Sequence, residues 1–192
     1  MTTETIANAV PNTRAIAFRR AFAIAIGAVF VAAAAQFEVI IPPSPIPETL
    51  QGGALLLVGL VLGPRLGAAA LLSYLVAGAA GLPVFSGGGF GMIHLFGPTA
   101  GYLFAFPLGA FLAGWMATKG VMMPTPVRYL AGAFAGMAVV HLGGWAWLSV
   151  LTGDPTAAFA MGIVPFGISD LLELGLAAGI ALLAGPRIRR AL

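Results

Sequence analysis

From Leu66 to Thr118 the chain contains no Asp, Glu, Lys or Arg. A run that long without charge has no polar face to turn to water, so its helices must meet lipid or one another. The rest of the chain follows suit. Of its residues 60% are hydrophobic and 8% charged, where a soluble domain carries about 25% charged residues. The chain therefore reads as an all-α integral membrane protein. Its 27 glycines suit the close approach of helices, and with no cysteine there are no disulfides, thiolate chemistry or Cys-ligated metals.

Prolines and polar residues cut the apolar sequence into six predicted spans. Met1–Thr13 is a polar tail, and residues 14–192 form a single six-helix membrane domain. Arg14, Arg19 and Arg20 precede the first span, Ala21–Val39. That span is too long for a signal peptide and lacks a good cleavage site, so it is read as retained. Pro42, Pro43, Pro45 and Pro47 make Glu38–Glu48 an extended, non-helical loop. Leu50–Gly63 and Leu66–Gly81 are each about 20–24 Å long if helical, short of the ~30 Å hydrocarbon core. With Gly63–Pro64–Arg65 as the turn, two spans are favoured over a re-entrant pair. Pro98–Thr118 is the fourth span, Lys119–Arg128 a polar break, and Val127–Leu151 the fifth span. Thr152–Gly162 is a loop, and Val164–Gly185 the sixth span.

This division sorts the charges. Arg14, Arg19, Arg20, Arg65, Lys119, Arg128, Arg187, Arg189 and Arg190, all nine basic residues, fall on the side of the two termini. Glu38, Glu48 and Asp154 fall opposite. Positive charge marks the cytoplasm, so both termini are expected there. The net charge of +3 thus reflects topology rather than an acidic partner such as nucleic acid.

Between the third and fourth spans lies Gly81–Tyr102, apolar yet hostile to helix. Pro83 and Pro98 interrupt it, and Gly87, Gly88, Gly89 and Gly91 relax its backbone. Irregular backbone at a membrane persists where protein covers it or where it lines a cavity. The segment is either a lid or pocket wall, or a plain connecting loop.

Asp170 and Glu173 sit three apart on one face of the sixth span, in its outer half. Ionisable groups inside a span are functional candidates by default, the alternative being interhelical bonding. His94, in the glycine-rich loop, is a candidate ligand contact or pH-sensitive latch, or a histidine bonded to backbone. His141 in the fifth span is open to packing or to a hydrogen bond with the acids. Phe85, Phe90, Phe96, Tyr74, Tyr102 and Trp145 offer flat apolar surfaces for a ligand. Ala28 and Ala32 form a small-xxx-small pair on the first span. No metal-ligand spacing and no GxxxxGK[ST] loop occurs, so ATP hydrolysis by this chain is not expected.

Several ordered motifs match a known pattern. PETLQ, GPRLG, GLPVF, GPTAGY and PFGISD occur in sequence from Pro47 to Asp170. Their order resembles the BioY family, the substrate-binding S components of energy-coupling factor (ECF) transporters for biotin. The resemblance implies six membrane helices with cytoplasmic termini and a pocket opening outward beneath the loops between spans one–two and three–four. It also implies a transmembrane coupling protein with two ATPase subunits, with Ala28 and Ala32 of the first span facing that partner. One departure stands out. The family typically follows its last-span Asp with x-x-Lys, and here that Lys position is Glu173. An acid there reverses the local field toward a biotin carboxylate, leaving His94 or backbone N–H groups to meet it.

The expected substrate-binding residues are Asp170, Glu173, Phe85, Gly88, Phe90, His94, Tyr102, Tyr74 and Gln51. The expected function is a substrate-binding subunit for uptake of biotin or a close relative, in the bacterial-type cytoplasmic (inner) membrane. No cofactor, metal or nucleic acid is expected. A proton-coupled carrier using Asp170 and Glu173, or an intramembrane enzyme using these acids with His141, are the other classes.

Overall fold

A computed structural model of the chain describes residues 13–42, 44–119 and 123–192. The predicted tail lies almost wholly outside the described residues, as do Pro43 and the middle of the Lys119–Arg128 break. The elements in order are α1 (Thr13–Ala34), β1 (Glu38–Ile40), β2 (Pro47–Thr49), α2 (Gln51–Leu62), α3 (Pro64–Ala79), α4 (Ala100–Thr118), α5 (Thr125–Thr152), α6 (Pro155–Gly162) and α7 (Gly167–Ala191). Short 3-10 turns lie at Ser86–Gly88, Met92–Leu95 and Val164–Phe166. Among the described residues, six of the seven α-helices correspond to the predicted spans.

Helices α1, α4, α5 and the α6–α7 run are long and apolar enough to cross a membrane, whereas α2 and α3 are shorter. Gly63 alone separates α2 from α3. Its φ of 81° reverses the chain, and Pro64 at the first turn of α3 needs no partner for a missing N–H.

Three boundaries differ from expectation. Helix α1 starts at Thr13 and stops at Ala34, because Glu38–Ile40 pairs with Pro47–Thr49 in an antiparallel ribbon. The loop was expected to be extended, but its pairing was not foreseen. Helix α7 runs through Pro186 to Ala191, carrying Arg187, Arg189 and Arg190 on its final turns. The expected loop Thr152–Gly162 contains α6. Its N-terminus is Asp154, whose side chain accepts from the N–H groups of Thr156 (2.8 Å) and Ala157 (3.1 Å), followed by Pro155. An acidic cap followed by proline is a helix start that the sequence did signal.

Helix α2 is apolar on every side and buried on every side, with Leu55, Leu56 and Leu60 fully enclosed. Apolar burial discriminates weakly between helices in lipid, so shape and small residues fix the packing. A Cβ on Gly59 would stand 2.4 Å from the Ala110 carbonyl oxygen of α4, and one on Gly114 2.5 Å from that of Gly59. Along α4 and α5, Gly101 faces Gly143 and Gly109 faces Gly136 with equally little room. These contacts hold α2, α4 and α5 in one tight group.

The two ends of the bundle differ in charge. Arg19 and Arg20 of α1 donate to the carbonyl oxygens of Ala191 (3.3 Å) and Leu192 (3.1 Å), so the first and last helices meet at one end. Gly63 approaches Thr118 and Arg189 at that same end. The β-ribbon, the glycine-rich loop and α6 cover the other.

Candidate ligand cavity

The ribbon and the glycine-rich loop are tied together over the bundle. Phe85 is buried, its ring seated where a Cβ on Gly78 would otherwise stand, and its carbonyl accepts from Gln36 Nε2 at 3.2 Å. Ser86 donates its hydroxyl to the Glu38 carboxylate of β1. Gly91 N–H donates to the Gly78 carbonyl at 2.7 Å, and Trp147 of α5 donates to Gly97 O at 2.8 Å. Gly87, with φ of 62°, makes the turn under Glu38, where any Cβ would crowd that carboxylate.

Beneath this cover lies a cavity of about 500 Å³, within the range of small-molecule sites. Its apolar wall comes from Ile46, Phe85, Ile93, Leu103, Phe106, Met137, Val140 and Phe166. Its polar groups are Glu38, Glu48, Thr49, Gln51, Ser86, His94, Thr99, Tyr102, His141 and Asp170. The lining carries three carboxyl groups and two imidazoles, and neither Lys nor Arg.

Asp170 and His141 form the polar floor. His141 Nε2 donates to Asp170 Oδ2 at 2.6 Å, and both side chains are largely buried. The imidazole stacks on Phe166 and meets the Tyr102 ring edge-on, each at 6.2 Å between centroids. Those two rings fix its orientation. Tyr102 donates its hydroxyl to Gly162 O at 2.6 Å, joining α4 to α6. Gln51 Nε2 donates to the Tyr74 hydroxyl at 2.6 Å, and Tyr74 packs edge-on against Phe85. On the ribbon, burial raises the pKa of Glu48. A hydrogen bond with Ser169 opposes that rise, the charge of Asp170 adds to it, and His141 counters it. Among the described residues no cluster of three His, Asp or Glu side chains is placed to hold a metal ion.

The expected residues divide. Asp170, Phe85, His94, Tyr102 and Gln51 line the cavity, while Tyr74 stands behind Gln51 and Phe85. Phe90 is exposed and outside the lining, and Gly88, half-buried with open space where a side chain would stand, is outside it too. Glu173 does not line it either. Its Oε2 accepts from the Gly53 N–H at 2.5 Å, in the first turn of α2, where a helix favours an anion. Both acids make interhelical bonds, Glu173 to α2 and Asp170 to α5, but of the two Asp170 alone also lines the cavity. Ala28 and Ala32 are half-buried against the core, and the exposed face of α1 carries Phe18, Phe22, Ile26, Val29 and Phe30 instead. Glu38, Glu48 and His141 were left out of the expected set. For His141 the structure takes the second of its two readings, a hydrogen bond with one of the acids, and the ribbon acids become legible only once the strands pair.

The model of the BioY family matches residues 6–190. The chain is 41% identical over 161 residues to the probable biotin transporter BioY of Pyrococcus horikoshii, spanning 82% of this chain and 93% of that protein. It is 42% identical over 142 residues to the biotin transporter BioY of Thermotoga maritima, spanning 74% and 82%. In fold it resembles the crystal structure of the S-component for biotin from an ECF-type ABC transporter, with a TM-score of 0.81, 24% identity and 95% of both chains covered. Matched along nearly its whole length by the family model and by both relatives over most of theirs, the chain belongs to the BioY family.

Proposed function

We propose that this chain is the substrate-binding membrane subunit of an ECF-type vitamin transporter and takes biotin or a close relative. The observation that carries this reading is Asp170 in the cavity floor. His141 occupies one of its oxygens, and no protein donor among the described residues occupies the other. A carboxylate held this way is an acceptor for N–H donors, and the ureido group of biotin supplies two. The apolar wall of Phe85, Leu103, Phe106, Met137 and Val140 suits the fused rings and the aliphatic chain. Both relatives bear the name of biotin transporter, which supports the substrate class.

Residues 14–192 act as one membrane domain, both termini face the cytoplasm, and the cavity opens outward. The chain resides in the cytoplasmic membrane and works with a transmembrane coupling protein and two ATPase subunits. It supplies binding, they supply hydrolysis, and it is not an enzyme. The exposed face of α1 is the surface offered to the coupling protein, with Ala28 and Ala32 at its edge.

Native mass spectrometry of the purified protein tests the ligand: bound biotin, or a biotin-like mass, supports the reading. Absence of any such mass together with no binding of added biotin removes it. Uptake that persists without the ATPase module but collapses with the proton gradient favours the proton-coupled carrier, for which the Asp170–His141 pair is the supporting observation.

A further inference from the structure

Biotin carries a carboxylate as well as a ureido group, and this cavity has no fixed cation to meet it. The lining contributes Glu38, Glu48 and Asp170, with His94 and His141 as its only nitrogen bases. His141 is committed: Nε2 donates to Asp170, and Nδ1 is buried without a partner, out of reach of a ligand. His94 differs. Its Nδ1 lies 2.9 Å from the Phe90 carbonyl oxygen, and a carbonyl can only accept, so Nδ1 carries a hydrogen. In the neutral ring Nε2 is then a lone pair, which repels an anion. A Cβ at Gly89 would stand 2.3 Å from Nε2, so only glycine leaves room for the ring where His94 lines the cavity.

We infer that His94 is the group that receives the ligand's carboxylate, and that it takes up a proton to do so. The inference rests on the vitamin-binding reading above. With both ring nitrogens protonated, Nε2–H donates to the carboxylate in a charge-assisted bond while Nδ1–H stays on Phe90. The Phe90 carbonyl fixes which nitrogen must be charged. The carboxyl groups that share the cavity wall with His94 are Glu38 on β1, bonded by Ser86, Glu48 on β2 and Asp170 on α7. His141 on α5 and the phenol of Tyr102 on α4 are the other titratable groups of the wall. The ring of Phe85 packs beside it at 5.7 Å. One consequence concerns selectivity: a carboxylate ligand binds with a proton, whereas a neutral amide of the same ring system does not.

The test is titration calorimetry on the whole purified chain in nanodiscs, with biotin and with biotinamide, in buffers of differing protonation enthalpy. Biotin is expected to bind with uptake of about one proton on the alkaline side of the histidine range, and its affinity to fall about tenfold per pH unit there. Biotinamide is expected to show neither. His94→Asn, which keeps a donor near the Phe90 carbonyl, is expected to abolish the uptake and to weaken biotin about ten- to a hundredfold more than biotinamide. Binding of biotinamide by the variant reports that it is folded. Biotin binding without proton uptake, or uptake that persists in His94→Asn, overturns the inference and leaves the vitamin reading standing. Failure of the parent to bind either compound overturns both.

Discussion

Helix α2 is gripped at its two ends by the same neighbour, and the two grips are unalike. At its N-terminus, Glu173 of α7 accepts from the Gly53 N–H. At its C-terminus, Arg189 of α7 donates to the carbonyl oxygens of Leu60 (2.6 Å) and Val61 (3.2 Å) and to the Tyr129 hydroxyl (2.6 Å). A carboxyl group stands at the positive end of the helix and a guanidinium at the negative end, the arrangement that suits a helix dipole. The difference lies in what surrounds each contact. The guanidinium also lies over the Tyr129 ring at 5.9 Å, and a Cβ on Gly185 would stand 2.8 Å from it. That end is solid. At the other end the chain opens into the cavity one residue away, at Gly52 and Gln51. Polar groups therefore close the bundle at one end, while at the other Asp170, one turn from Glu173, is left with capacity to spare.

Loss of a grip should cost stability, and loss of a cavity acceptor should cost affinity. Arg189→Leu leaves two helix-end carbonyls and a phenol without a donor and is expected to destabilise the unliganded protein by about 3 kcal/mol. A lowered thermal midpoint in detergent would show this, and an unchanged one would break the contrast. Asp170→Asn is expected to weaken biotin by about ten- to a hundredfold in calorimetry while moving the unliganded midpoint little. Glu173→Gln should lower stability by about 1 kcal/mol and change affinity by less than about threefold. Glu173→Lys places a cation at the N-terminus of α2, so it should destabilise further without improving biotin binding. A Lys variant that binds biotin more tightly would return Glu173 to the ligand site. The smallest effect concerns Glu48. Its pKa is raised in the fold, so its stabilising contribution is full below its ordinary value of 4.5 and lost as pH rises through the raised value. Glu48→Gln should flatten the pH dependence of the thermal midpoint across that interval.

The contrast also explains which residues could be read from the sequence. An acid inside an apolar run is visible as an anomaly, so both Asp170 and Glu173 were candidates, but spacing of three residues says only that they share a face. Their partners lie 29 and 120 residues away, at His141 and Gly53. No local pattern carries such pairings. The ribbon acids were hidden for a similar reason. Four prolines announced an extended loop without saying that Glu38 would come opposite Thr49, or Glu48 opposite Val39. Helix α6 was legible in principle, since Asp154–Pro155 is a capped start, but its eight residues are too few for periodicity to show.

Sequence alone determined the solvent of this protein and where its apolar runs break. A chain with nine basic residues, all at the breaks between apolar runs, has few ways to satisfy both lipid and the preference of positive charge for one side. The tertiary structure decided what each polar group does, because that depends on which groups stand opposite it. Two acids one turn apart on α7 face different neighbours, one a helix terminus and the other a cavity. Periodicity sets the face of a helix, but only packing sets what that face meets.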